Sequence, residues 1–68
     1  MSRLPRWTAR EAEAVLERAG FVRLRSKGSH RIYQKGDTMI VVPFHAGVVL
    51  HPKVVKQVLF AVDEASQR

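Results

Sequence analysis

Cysteine is absent from this 68-residue chain. That removes disulfide staples, a thiolate nucleophile and zinc sites built on Cys ligands. Acidic residues are scarce, six against twelve Lys and Arg, and they do not cluster. Asp37 falls in a turn sequence, Asp63 and Glu64 are neighbours near the end, and Glu11, Glu13 and Glu17 share one helical pattern. Metal-dependent nucleases need clustered carboxylates, so that class is disfavoured. Glu13 and Glu17, one turn apart, read as a solvated helix face. The three histidines, at 30, 45 and 51, show no recognised zinc-ligand spacing. The four glycines form no phosphate-cradling loop. Long apolar runs are missing too. Met39-Ile40-Val41-Val42-Pro43-Phe44 is the longest, far below the roughly 20 residues of a membrane span. The basic start, Met1-Ser2-Arg3-Leu4-Pro5-Arg6, leads into no apolar segment of the signal-peptide kind. The expectation is a cytoplasmic protein with no membrane attachment.

A chain of this length reads as one domain, residues 1–68. Such a domain buries only about 60% of its unfolded surface, so most apolar residues are needed for the core. An extended surface is then a better working site than a deep pocket. The net charge of +6 is concentrated. Arg18, Arg23, Arg25, Lys27, Arg31, Lys35, Lys53 and Lys56 are opposed within their span by Asp37 alone. This points to a polyanionic partner, nucleic acid or an acidic protein; the plainer reading is a charged, soluble surface.

Thr8-Ala9-Arg10-Glu11 is a capping box. Ala12, Val15, Leu16 and Ala19 follow at helical spacing, and Gly20 stands at the C-terminal cap, with Phe21 able to pack back. This predicts a helix over about 8–19, with Trp7 as a staple against it. Phe21 to Arg25 alternates as a strand, Ser26-Lys27-Gly28-Ser29 is a turn, and His30 to Lys35 is a second strand. Gly36-Asp37 fits a two-residue hairpin loop with glycine first, and Thr38 to Pro43 is a third, β-branched strand. A second helix begins near Pro52, with Val55, Val58, Leu59 and Val62 as its apolar stripe and a frayed tail from Asp63 to Arg68. The fold class is α+β, in the order α-β-β-β-α. A three-stranded antiparallel sheet with both helices on one face would bury both stripes.

Register then predicts faces. The Gly36-Asp37 loop pairs Lys35 with Thr38, Tyr33 with Ile40 and Arg31 with Val42. A four-residue loop at 26–29 pairs Arg25 with His30, Arg23 with Ile32 and Val22 with Tyr33. Val22, Leu24, Tyr33, Ile40 and Val42 then face the helices. Arg23, Arg25, His30, Ile32, Gln34, Met39 and Val41 form the outer face, and its apolar members could be a docking patch. A one-residue change in loop length would reverse the assignment.

Lys27-Gly28-Ser29-His30-Arg31-Ile32 places an imidazole just after a glycine turn, among cations. Histidine exchanges a proton near neutral pH. When an RNA 2′-hydroxyl attacks the adjacent phosphate, a protein can remove that proton, protonate the leaving 5′-oxygen and stabilise the negative transition state. His30 is the candidate acid or base. Lys27, Arg25, Arg31 and Arg23 are candidates to hold phosphate and stabilise charge. Gly28 and Ser29 shape the turn, with the Ser29 hydroxyl or amide available to a phosphate oxygen. His45, after the third strand, is a candidate helper. His51 reads as a helix-cap residue with no chemistry. No acid-oriented triad supports Ser29 as a nucleophile.

Gly20-Phe21, Lys27-Gly28-Ser29-His30, Tyr33 and Val42-Pro43-Phe44-His45 together resemble the HicA (YcfA-like) mRNA interferase toxins. The resemblance runs from about Trp7 to the second helix. It implies a fold similar to the double-stranded-RNA-binding domain. It also implies a metal- and cofactor-independent, ribosome-independent endoribonuclease acting on mRNA and tmRNA, with the histidine of Gly-Ser-His, here His30, as the catalytic one. A HicB-type antitoxin that covers the active face is the implied partner, and the free toxin is expected to be a monomer. Lys53-Val54-Val55-Lys56 departs from the Gly-Thr-Leu-Arg start that family members often show at the second helix.

Two other readings compete. A non-catalytic RNA-binding module of the same fold would use the cations for backbone contacts and would not need His30. A binder of an acidic protein would form a salt-sensitive complex and retain no RNA.

Overall fold

The structure is a computed structural model that describes residues 4–67. The basic start at Met1, Ser2 and Arg3, and the terminal Arg68, lie outside the described residues.

The elements are α1 (Ala9–Arg18), β1 (Val22–Lys27), β2 (His30–Lys35), β3 (Thr38–Pro43) and α2 (Pro52–Ser66). The capping box forms as the sequence predicts. The Thr8 hydroxyl accepts from the Glu11 amide at 3.3 Å, and the Glu11 carboxylate accepts from the Thr8 amide at 2.9 Å. At the other end Gly20, at φ 98°, allows the chain to reverse. Its amide donates to the Glu17 carbonyl, and the Phe21 amide donates to the Leu16 carbonyl. This is a Schellman closure, and it turns Phe21 into the core at 3% exposure.

The three strands form one antiparallel sheet in the order β1-β2-β3. Leu16 of α1, Tyr33, Ile40 and Val42 of the sheet, and Val55, Val58 and Ala61 of α2 share one buried cluster. Both helices therefore lie on one face of the sheet. Burying side chains of this size contributes about 1.5–3 kcal/mol each. Trp7 packs at the edge of this core. Its carbonyl accepts from the Leu50 amide at 2.7 Å, and Thr8 bridges to Val49. These contacts hold the segment that leads into α2.

Three expectations need correction. β1 extends to Lys27, because the loop after it is two residues long, not four. The helix-facing stripe of α2 is Val55, Val58, Ala61 and Ala65, with Val62 partly buried against it. Leu59 is 37% exposed, since the buried arc is centred near Val58 and Leu59, the next residue, stands about 100° round the helix from it. The segment from Asp63 is helical through Ser66, because Ala65 at 6% exposure still reaches the core. Among the described residues no helix is long and apolar enough to cross a membrane.

Candidate functional site

His30 opens β2 and is exposed. It pairs with Lys27 of β1 on one side and with Pro43 of β3 on the other. Between Lys27 and His30 only Gly28 and Ser29 remain, and Gly28 has φ +59°. Glycine first with positive φ is the pattern of a type II′ turn, whose twist matches that of the flanking strands. The turn is anchored from β3 as well: the Phe44 amide donates to the Ser29 carbonyl at 2.5 Å. His45 follows Phe44 immediately and is exposed, so both histidines flank the same glycine turn.

Directly paired residues share a face. Lys27 therefore lies beside His30 on the outer face, and Arg25, paired with Ile32, lies further along it. Gln34, Met39 and Val41 complete that face. Shortening the loop by two residues keeps the parity of the expected register, so Arg25 and His30 stay outside. A β-bulge between Arg23 and Arg25 then breaks the parity for the first half of β1. Beyond it, Val22 pairs with Gln34 and Arg23 with Tyr33. Val22 is therefore on the outer face, 64% exposed, and Leu24 at the bulge is 52% exposed. Arg23 is on the helix side. All three placements reverse the expectation from simple alternation.

Arg31 is on the helix side as well, paired with Val42. It is held there by two contacts. Its guanidinium donates to the Glu13 carboxylate at 3.0 Å and lies 3.7 Å from the centre of the Phe44 ring. The Tyr33 hydroxyl donates to the same Glu13 oxygen at 2.5 Å, and Arg23 approaches it at 3.7 Å. Burial raises the Glu13 pKa, but the hydrogen bonds from Tyr33 and Arg31 and the charges of Arg31 and Arg23 outweigh it, holding the group below its ordinary 4.5. Burial, with the hydrogen bond to Glu13 and its charge, pushes the Tyr33 phenol well above its ordinary 10.0. The sequence-predicted set is thus divided by the sheet. Arg25, Lys27, Gly28, Ser29 and His30 come together on the outer face and its turn, while Arg23 and Arg31 gather on Glu13 behind it.

Glu13 is the residue that sequence reasoning missed. Its side chain is 18% exposed, not solvated as expected beside Glu17. A signal was available. Ala9, Ala12 and Leu16 mark the buried stripe of α1, and position 13, one turn from Ala9, falls at the edge of that arc. His51 caps α2, its Nδ1 accepting from the Lys53 amide at 3.0 Å. Lys35 is also committed to structure, donating to the Ala19 carbonyl at the end of α1. Among the described residues, no three His, Asp or Glu side chains gather as a metal site.

A sequence-family model described as "HicA toxin of bacterial toxin-antitoxin" matches residues 9–62. No curated protein and no solved structure gives a significant match.

Proposed function

The chain belongs to the HicA toxin family of bacterial toxin–antitoxin systems, with an antitoxin as its partner, and from that premise we propose that it is a metal-independent endoribonuclease cleaving mRNA and tmRNA. The observation that carries this reading is the exposed His30 at the closing pair of a glycine-first hairpin, beside Lys27 and in line with Arg25. His30 exchanges the proton, as base toward the 2′-hydroxyl or acid toward the 5′-oxygen. Lys27 and Arg25 hold the phosphate and stabilise the charge that builds up on it. Gly28 gives the turn its positive φ, and Ser29 offers its hydroxyl to a phosphate oxygen. His45 supports the reaction from the far side of the turn. Arg31, tied to Glu13 and Phe44, braces the strand that carries His30, and Arg23 acts from the same side. A HicB-type antitoxin silences the enzyme by covering the outer face.

A second reading, a non-catalytic RNA-binding module, is favoured by one observation. The His30 ring makes no hydrogen bond among the described residues that would set its tautomer. One comparison separates the two. Wild type and His30→Ala are incubated with a defined RNA in EDTA, and with the same RNA carrying blocked 2′-hydroxyls. Cleavage by wild type only, abolished by blocking, with RNA binding retained in the variant, supports the nuclease. Identical behaviour of the two proteins removes His30 from the mechanism and favours the binding module.

A further inference from the structure

The two open edges of the sheet are built differently. β1 carries Arg23, Arg25 and Lys27, and such charges on an edge deter strand pairing. The opposite edge, β3, reads Thr38-Met39-Ile40-Val41-Val42-Pro43 and carries no charge at all. Lys35 and Thr38 close a two-residue hairpin, so the backbone groups of Thr38, Ile40 and Val42 point toward β2. The Phe44 amide, in phase with them, does point that way, to Ser29. The N–H and C=O groups of Met39 and Val41 are left facing outward along the open edge.

Beside this edge lies an open groove of about 390 Å³ between β3 and α2, centred on Met39 and Ile40 in the strand and on Phe60 and Ala61 in the helix. The Thr38 hydroxyl, buried and without a hydrogen-bond partner among the described residues, lines it too. Met39 is 57% exposed, Val41 45% and Phe60 66%. On α2, Lys56, Phe60 and Glu64 are spaced four apart and so form one exposed stripe. Neither Lys56 nor Glu64 makes an ion pair among the described residues. The stripe is basic at one end, acidic at the other and aromatic in the middle. It is its own complement under a two-fold rotation through Phe60.

We propose that this edge pairs with a second copy of the chain, β3 against β3, antiparallel about a two-fold axis at Ile40. Met39 then lies opposite Val41 of the second copy, and Val41 opposite its Met39, and their outward backbone groups exchange hydrogen bonds. The two α2 helices lie on the same side of the joined sheet and run antiparallel. The two Phe60 rings close the groove over the axis, and Lys56 of each copy meets Glu64 of the other. A two-fold interface requires this reciprocity. An acidic partner would instead be drawn to the cations of β1, because the β3–α2 edge is balanced in charge. The outer face becomes continuous across both copies and carries two His30 side chains.

Sedimentation velocity of the purified full chain, from low micromolar to near-millimolar concentration, tests the proposal. A reversible dimer is expected, in place of the free monomer that the sequence reading expects. Lys56→Glu and Glu64→Lys should each weaken it by about tenfold or more, since one substitution creates two like-charge contacts across the axis. The double variant should return to within about threefold of wild type, because both contacts are restored in reverse. Both positions are exposed, and far-UV circular dichroism of each variant confirms that the fold is kept. Val41→Lys, which charges the edge, should give a monomer. A wild-type monomer at every concentration would overturn the proposal. So would single reversals without effect, a double variant that is not rescued, or Met39 and Val41 amides that gain exchange protection only when an antitoxin is added.

Discussion

Replacing Glu13 with alanine tests whether the helix-side cluster holds the sheet to α1. The carboxylate accepts from Tyr33, whose residue is 0% exposed, and from Arg31 at 28% side-chain exposure. Hydrogen bonds to a charged group contribute about 1.5–3 kcal/mol each when buried. Here one partner is partly solvated, and the Arg31 guanidinium keeps its contact with the Phe44 ring, so the sum falls to about 2–3 kcal/mol. For a domain of this size each kcal/mol moves Tm by roughly 4–8 °C, so Glu13→Ala should melt roughly 10–20 °C below wild type. Glu17→Ala, on the same helix but exposed, should stay within about 0.5 kcal/mol of wild type. Urea unfolding followed by circular dichroism reads both variants. A double-mutant cycle with Tyr33→Phe should return a coupling of about 1–2 kcal/mol. If Glu13→Ala costs no more than Glu17→Ala, or the coupling is zero, the cluster does not stabilise the fold and the reasoning fails.

The same cluster sets a pH dependence. The folded Glu13 pKa lies below its ordinary 4.5, so its contribution is complete above that value and is lost as pH falls through the folded pKa. The Tyr33 pKa is raised, so its contribution is complete below 10.0 and is lost as pH rises beyond it. Urea midpoints should therefore drop at both extremes, and Glu13→Gln should flatten the acid side. At Gly28 an added Cβ meets nothing within 4 Å. Gly28→Ala should thus cost only the backbone strain of a non-glycine residue at the first position of a type II′ turn, about 1–3 kcal/mol; a larger loss in thermal melts would mean a hidden contact. Lys27→Ala should leave stability within about 0.5 kcal/mol of wild type and reduce the salt slope of RNA binding by about 1. Arg31→Ala should do the reverse, costing about 1–2 kcal/mol with the slope unchanged. Filter binding across a salt series, with melts alongside, would expose an exchange of those roles.

The element order was legible because each boundary is written in local chemistry. The Thr8–Glu11 box starts α1, Gly20 ends it, the glycine-first pair at 36–37 reverses the sheet, and Pro52 opens α2. The outer placement of His30, Ile32, Gln34, Met39 and Val41 followed from period-two alternation near the turns. The outer placement of Arg25 survived an incorrect loop length because the error was two residues, an even number. The family was legible as well, through Gly-Ser-His and Pro-x-His at their separation.

The bulge in β1 was not legible. Val22-Arg23-Leu24-Arg25 alternates cleanly, and alternation alone sends Val22 and Leu24 inward. Tertiary structure decides otherwise because the carboxylate of Glu13, a partly buried acid on α1, gathers Arg23, Arg31 and Tyr33 on the helix side. Arg31 already pairs with that carboxylate at 3.0 Å, and the bulge adds Arg23, its side chain 46% exposed, as a second and weaker cation at 3.7 Å. By itself the sequence determined what could be settled by neighbours a few residues apart: caps, the turn at 36–37, strand order and the exposed histidine two residues after a glycine. Only the folded chain decided which cations share a face with that histidine. That depends on pairing across strands and on one helix residue eighteen positions from Arg31, and no local pattern encodes it.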